Sequence, residues 1–337
     1  MGLQITRVVA KSPKIPSEMD GYSAALLADL HNCALGNDNR TLREALFAEN
    51  PDVLLIAGDM ITESRTGLRI SEAQRLLQGL SSAFKIYYAC GNHELRWKYK
   101  PDARPSFDEF KKSLAGYGIT FLENMSVFLE RGNDGEMKGC KAGKAAGEAG
   151  KADVKAGKVD GKTSKADGRT GKADGKTGRA VGKTGKAAGK TGKAAGIRLT
   201  GLDLPPAYYK KRRITPLDAM TIEELAGAAE RPYFNVLLAH SPEYFEAYAR
   251  WGADLTLSGH FHGGIIRLPF IGGVISPYLR LFPKYDKGLY HSYNNESCMV
   301  LTAGLGTHTV PRVNNPPELV LITFEHCEEG NAAVSYA

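Results

Sequence analysis

Five short apolar segments, each running directly into a polar side chain, constrain the fold of this chain more than any other feature. Tyr22 to Ala28 leads into Asp29-Leu30-His31, Val53 to Ala57 into Gly58-Asp59, and Phe84 to Ala89 into Gly91-Asn92-His93-Glu94. Further on, Phe234 to Ala239 leads into His240, and Ala253 to Leu257 into Ser258-Gly259-His260-Phe261-His262. Segments this short, apolar throughout and bounded by turn residues read as buried strands. Helical patterns lie between them. Asn39 is placed to cap a helix with Leu42, Ala45, Leu46 and Ala48 on its apolar face, and Ser71 with Gln74, Ser106 with Glu109 and Thr221 with Glu224 match the capping box. Gln4 to Val9 is expected as an edge strand, and Cys298 to Thr302 and Glu318 to Phe324 as closing strands. A repeating strand-helix order of this kind predicts an α/β domain with two sheets and helices outside them. Polar groups then gather at the carboxyl ends of the strands, the edge where open α/β sheets bind ligands.

One stretch does not belong to this pattern. Residues Lys144 to Gly192 form seven consecutive seven-residue units close to K-A-x-G-K-T-G. No unit carries the two large apolar residues that a coiled-coil seam needs, and each glycine penalises a helix by about 1 kcal/mol. The repeated Gly-Lys-Thr is not a nucleotide loop, because three residues separate Gly178 from Gly182-Lys183-Thr184 where four are required. The region 133–196 is therefore expected as a disordered insertion in a single domain spanning 1–337. From Lys138 to Lys193 there are 14 Lys and 2 Arg against 5 Asp or Glu, so the chain's net charge of +7 resides there and the remainder is mildly acidic. The segment reads as a solvated spacer, with contact to an anionic membrane or a nucleic acid as the alternative.

Five cysteines without a C-x-x-C pair argue against a disulfide framework or a zinc ribbon and fit a reducing, cytoplasmic compartment. The N-terminus has no signal pattern and no run reaches the length of a membrane span. Ile265 to Phe282 is rich in large apolar residues and follows closely on the histidine pair. It reads as a buried core element; the alternative is a lipid-facing segment and a location peripheral to a membrane.

Collected at the strand ends are Asp29, His31, Asp59, Asn92, His93, His240, His260 and His262. All are oxygen or nitrogen donors, which suits manganese, iron or zinc. The set is too large for one tetrahedral ion and suits two divalent ions sharing a carboxylate. Two such ions exceed the charge of Asp29 and Asp59, so they attract a phosphate and lower the pKa of a bridging water. Phosphoester hydrolysis by a bridging hydroxide is the expected chemistry.

The ordered blocks D-x-H, G-D, G-N-H-E, a histidine after an apolar strand, and G-H-x-H resemble the calcineurin-like metallophosphoesterase superfamily. The resemblance spans nearly the whole chain apart from the insertion. Gly263-Gly264, Asp286 to Tyr290 and Pro316-Pro317-Glu318 are similar to its bacterial phosphodiesterase branch. It implies a four-layer αββα sandwich. It also implies that Asp29, His31, Asp59 and His262 hold one ion, that Asp59 bridges, and that Asn92, His240 and His260 complete the second. His93 is then not a ligand but stabilises or protonates the leaving oxygen, and Arg96, after the G-N-H-E turn, is a candidate for contact with the substrate phosphate. Ala28, Phe261 and Ile265 depart from the pattern at positions bearing on substrate choice. The expected substrate is a phosphodiester. A phosphomonoesterase or phosphoprotein phosphatase is the first alternative and a non-catalytic scaffold the second, and no obligate protein partner is expected.

Overall fold

The computed structural model describes residues 2–64, 67–131, 196–210, 214–264, 266–268, 272–276, 281–306 and 312–337. The expected insertion lies outside these, except for Gly196. The chain divides into two units, one of residues 1–143 with 194–337 and one of 144–193. The first holds all the described residues.

Its first half runs β1 (Gln4–Ser12), β2 (Tyr22–Leu27), α1 (Arg40–Glu49), β3 (Val53–Ala57), β4 (Thr62–Ser64), β5 (Gly67–Arg69), α2 (Ser71–Ser81), β6 (Lys85–Ala89), α3 (Asn92–Lys98), α4 (Arg104–Ala115), β7 (Thr120–Phe121) and β8 (Ser126–Leu129). The second half runs β9 (Ile197–Leu202), α5 (Ala219–Ala226), β10 (Phe234–Ala239), α6 (Phe245–Trp251), β11 (Leu255–Ser258), β12 (Arg267–Leu268), β13 (Gly272–Gly273), β14 (Gly288–His291), β15 (Cys298–Leu301), β16 (Glu318–His326) and β17 (Ala333–Tyr336). Two large sheets result, ordered β17-β1-β16-β2-β3-β6-β7 and β14-β15-β11-β10-β9-β8. Strands β2, β3, β6 and β7 are parallel, as are β9, β10, β11 and β15.

Successive side chains of a strand point to opposite faces, and here both faces are apolar because both are covered. Val53, Leu55 and Ala57 of β3 join Val236 and Leu238 of β10 in a core between the two sheets. The alternate residues Leu54 and Ile56 face outward onto Leu42 and Leu46 of α1 and Leu76 and Leu77 of α2. Leu237 and Ala239 face the opposite way, onto Ile222 of α5 and Tyr248 and Trp251 of α6. The order of layers is helices, sheet, sheet, helices, the αββα arrangement expected. Each fully buried Leu or Ile contributes roughly 1.5–3 kcal/mol, so these alternating faces bind the layers together.

Three local expectations are corrected. Strand β1 is not at an edge: it pairs parallel with β16 on one side and antiparallel with β17 on the other. The helix caps are not the local ones. Asn39 accepts from Leu35 N, and the first N–H groups of α2, from Glu72 and Ala73, are taken by Asn32 Oδ1. Ser106 lies inside α4 and accepts from Trp97 Nε1, while α5 is capped by Asp218, which accepts from Thr221 N. Lastly, the described part of the apolar run after His262 is not core. Ile266 to Leu268, Gly272 to Ile275 and Leu281-Phe282 pair edge to edge, with Ile266 also bridged to Val313, apart from the two large sheets, and Leu281 and Phe282 are 66% and 64% exposed. Among the described residues no helix is long and apolar enough to cross a membrane.

Candidate metal centre

The parallel strands of both sheets end at a common edge, and the backbone there continues strand-like pairing beyond the strands themselves. Asp29 N donates to Gly58 O, His31 N to Asp59 O and Asn32 N to Met60 O. These bonds hold turns that are otherwise unfavourable: Asp29, His31, Asp59, His260 and His262 all have φ between 52° and 78°. Non-glycine residues in this region cost of order 1–3 kcal/mol each and cluster at functional sites. Glycines make room for the two aspartates. A Cβ at Gly259 would lie 2.5 Å from Asp29 Oδ2, and one at Gly91 would overlap Asp59 Oδ1. Larger residues at either position would push a carboxylate out of place.

The structure brings together all eight residues named from the sequence. Asp59 Oδ2 lies 3.1 Å from His240 Nε2, 3.9 Å from His31 Nε2 and 4.0 Å from His93 Nε2. Asp29 Oδ1 faces Nε2 of His31, His262 and His240 at 3.8, 3.8 and 3.9 Å. Buried Asp29 Oδ1 has no hydrogen-bond partner among the described residues. Nitrogens also face nitrogens: His31 Nε2 and His262 Nε2 are 3.2 Å apart, as are His260 Nδ1 and His240 Nε2. The amide of Asn92 meets His260 Nδ1 at 2.7 Å. Such a set is made wholly of nitrogen and oxygen donor atoms of the kind that bind divalent ions. Cations satisfy it: ligands about 2.0–2.2 Å from one ion stand roughly 3 to 4 Å apart. Ligand atoms within 4.8 Å of one another form three groups, Asp29-His31-His262, His31-Asp59-His93 and Asp59-His240-His260.

Hydrogen bonds on the far side of two rings fix their orientation. His240 Nδ1 donates to the carbonyl of Ala57 at 2.7 Å, which turns Nε2 toward Asp59. Burial opposes charge on this ring, but Asp59 and Asp29 outweigh it and push it up to about 9, so in the protein alone Nε2 carries a proton that a bound ion would displace. In His93 the order is reversed. Its Nδ1 accepts from Glu63 N at 3.0 Å, so the neutral ring carries its proton on Nε2, the nitrogen turned toward the centre.

The electrostatics of the protein alone follow from this crowding. Burial pushes Asp59 up, but the surrounding histidines, His240 and His93 foremost, outweigh it and hold the carboxyl well below its usual range. Burial pushes Asp29 up to about 7, opposed by His240. Burial drives His262 down to about 3, with Arg312 adding to it, and holds His260 well below the ordinary imidazole value, with His240 adding to it. Both are neutral rings with lone pairs to give.

Two residues important to the geometry carry no role in the sequence reading. Glu94, fully buried, accepts from Asp59 N, Met60 N, Ile61 N and Gly91 N and from the Tyr88 hydroxyl. It thereby ties the Asp59 turn to the Asn92 turn, and its place within G-N-H-E was the signal available. Asn32, immediately after His31, caps α2. Arg96 is 45% exposed beside Glu63, and its guanidinium reaches the Asn92 amide at 3.2 Å. Of the remaining histidines, His291 bonds Cys298 and His326 the Ile15 carbonyl, away from the centre, while His308 lies outside the described residues.

A family model described as calcineurin-like phosphoesterase matches residues 22–148, the part of the chain that carries Asp29, His31, Asp59, Asn92 and His93. Over that segment the chain is similar to calcineurin-like phosphoesterases. An uncharacterised metallophosphoesterase of Bacillus subtilis, YkuE, is 35% identical over 96 residues, 27% of this chain and 31% of that protein. An uncharacterised metallophosphoesterase of Aquifex aeolicus is 34% identical over 93 residues, 27% of this chain and 33% of that protein. The chain thus spans about a third of the length of these curated relatives. The sulfate thiohydrolase SoxB of Thermus thermophilus, solved with glycerol, superposes with a TM-score of 0.37 at 11% identity, over 91% of this chain and 57% of its own. The matched segment holds only part of the donor set; the second sheet brings His240, His260 and His262 to it.

Proposed function

We propose that this protein is a metal-dependent phosphodiesterase with a dinuclear centre. The observation that carries the reading is the convergence of Asp29, Asp59, Asn92 and the histidines on one buried edge, with nitrogen and oxygen donor atoms within 3 to 4 Å of one another around Asp59. Asp29, His31, Asp59 and His262 would hold one ion, and Asp59, Asn92, His240 and His260 the other. When bound, such a pair supplies Lewis acidity that makes water nucleophilic near neutral pH and neutralises charge on a phosphoryl group.

The chain's own residues perform the rest. Asp59 sits between the two donor groups and is held on both sides, since its Oδ1 accepts from His93 N at 2.7 Å and its N–H donates to Glu94. His93, with its proton on Nε2, is a donor and not a ligand, although distance alone groups it with His31 and Asp59. Its place is beside the leaving oxygen, to which it gives that proton. Arg96 is exposed next to Asn92 and is placed to meet a phosphate oxygen. The likeness of Gly263-Gly264, Asp286 to Tyr290 and Pro316 to Glu318 to the bacterial phosphodiesterase branch supports a diester in preference to a monoester. Asp286 supports this wall beyond His262 by accepting from Arg267 Nη1 at 2.8 Å and Gly273 N at 2.7 Å.

Hydrolysis of bis-p-nitrophenyl phosphate and p-nitrophenyl phosphate with Mn²⁺ tests the reading. The diester is expected to be cleaved faster, and His93→Ala to lower turnover by roughly 10²–10⁴-fold, the usual contribution of a positioned proton donor, with metal content unchanged. Faster cleavage of the monoester would favour a phosphomonoesterase. A protein that binds metal and cleaves neither would be a scaffold.

A further inference from the structure

We infer that Asp203 and Lys98 are positioning residues for the second ion's half of the centre, an inference that rests on the dinuclear reading above. Asp203 directly follows β9, in the opposite sheet from the Asn92 turn, and is 1% exposed. Its Oδ1 accepts from Cys90 N at 3.2 Å, and its Oδ2 accepts from Lys98 Nζ at 2.9 Å. Cys90 stands two residues before Asn92, and Lys98 is the last residue of α3. One carboxylate therefore holds the chain just before this seven-residue helix and also at its end.

The carboxylate is itself held. Asp203 N donates to Asn124 Oδ1 at 2.8 Å, and Lys98 Nζ also reaches Glu123 Oε1 at 2.7 Å, with Lys111 on the far side of Glu123. An ion pair this buried is no gain for stability over apolar packing of the same shape, so its value lies in direction. It orients α3, and with it the Asn92 amide and the His93 ring, across the join between the two sheets. Glu94 fixes the same turn to β3 within the first sheet; Asp203 fixes it to the second, which delivers His240 and His260. The Asn92 amide meets His260 Nδ1 only while both sheets keep this alignment.

Mn²⁺ titration of the full chain, resolving two binding events by calorimetry, tests this with Asp203→Ala, Asp203→Asn and Lys98→Met. Outer-shell changes of this kind typically cost about 10–100-fold in metal affinity. That loss is expected at one of the two events for Asp203→Ala, with the other within about threefold of wild type. Asp203→Asn, which keeps an acceptor for Cys90 N and loses the charge facing Lys98, is expected between the two, and Lys98→Met alongside it. These isosteric variants decide the matter should Asp203→Ala fail to fold. Two events of wild-type affinity in the variants, whatever their melting temperatures, would overturn the positioning role while leaving the dinuclear reading intact. A wild-type protein that binds no Mn²⁺ would overturn both.

Discussion

Asp59→Asn is expected to reduce bound metal from about two ions per chain to at most one and to lower phosphodiester hydrolysis by more than about a hundredfold, beyond the ~10–100-fold of outer-shell changes. The substitution is isosteric, so Oδ1 can still accept from His93 N. What changes is Oδ2, the atom 3.1 Å from His240 and about 4 Å from both His31 and His93. It becomes neutral, and one of the two carboxylates that face the donor cluster among the described residues is lost. The variant is not expected to act by unfolding. Despite burial, the surrounding histidines hold the Asp59 carboxyl below its usual range, so the substitution takes from His240 its buried partner, and in chelator the variant should melt below wild type while remaining folded at 25 °C by circular dichroism. Asp59→Asn protein with two tightly bound ions and unimpaired hydrolysis would remove Asp59 from the shared position.

The largest stability effect is expected at Glu94. Its two oxygens accept four backbone N–H groups and the Tyr88 hydroxyl, and it is completely buried. Glu94→Ala leaves all five donors without an acceptor. A buried unsatisfied polar group costs about 1–3 kcal/mol, and water entering the space left by the side chain returns part of that. A net loss of about 4 kcal/mol places it among the most damaging single substitutions. Glu94→Gln should cost roughly half as much, since one oxygen remains while an NH₂ group faces N–H donors. Urea unfolding in chelator measures both without the contribution of bound metal to the folded state. Losses below about 1 kcal/mol in both variants would mean that the turns at Asp59 and Asn92 hold themselves.

The strand ends were legible in the sequence because burial on both faces removes alternation and leaves an apolar run whose stop is visible. Asp29, Asp59, His240 and His260 could thus be assigned to one edge without knowing which sheet each strand joins. What could not be read is non-local. The capping boxes at Ser71 and Ser106 have the right local spelling, but the first N–H groups of α2 are claimed by Asn32, forty residues earlier in the chain. Trp97 of the neighbouring helix claims Ser106. Strand β1 read as an edge because nothing in Gln4 to Val9 announces that Ala333–Tyr336 returns to pair with it. The apolar run after His262 read as core because composition does not distinguish residues buried by a domain from residues displayed by short strands apart from the two large sheets. Asp203 escaped notice for the same kind of reason: a single aspartate after a strand acquires meaning only when Cys90 and Lys98 arrive beside it.

The central claim is that Asp29, Asp59, Asn92 and the four imidazoles of His31, His240, His260 and His262 form a site for two metal ions. It is tested most directly by elemental analysis of the full chain purified without chelator, then stripped and refilled with Mn²⁺. About two ions per chain, lost to chelator and restored together with diester hydrolysis, is the predicted result. A chain that holds no stoichiometric metal before or after Mn²⁺ addition would contradict it.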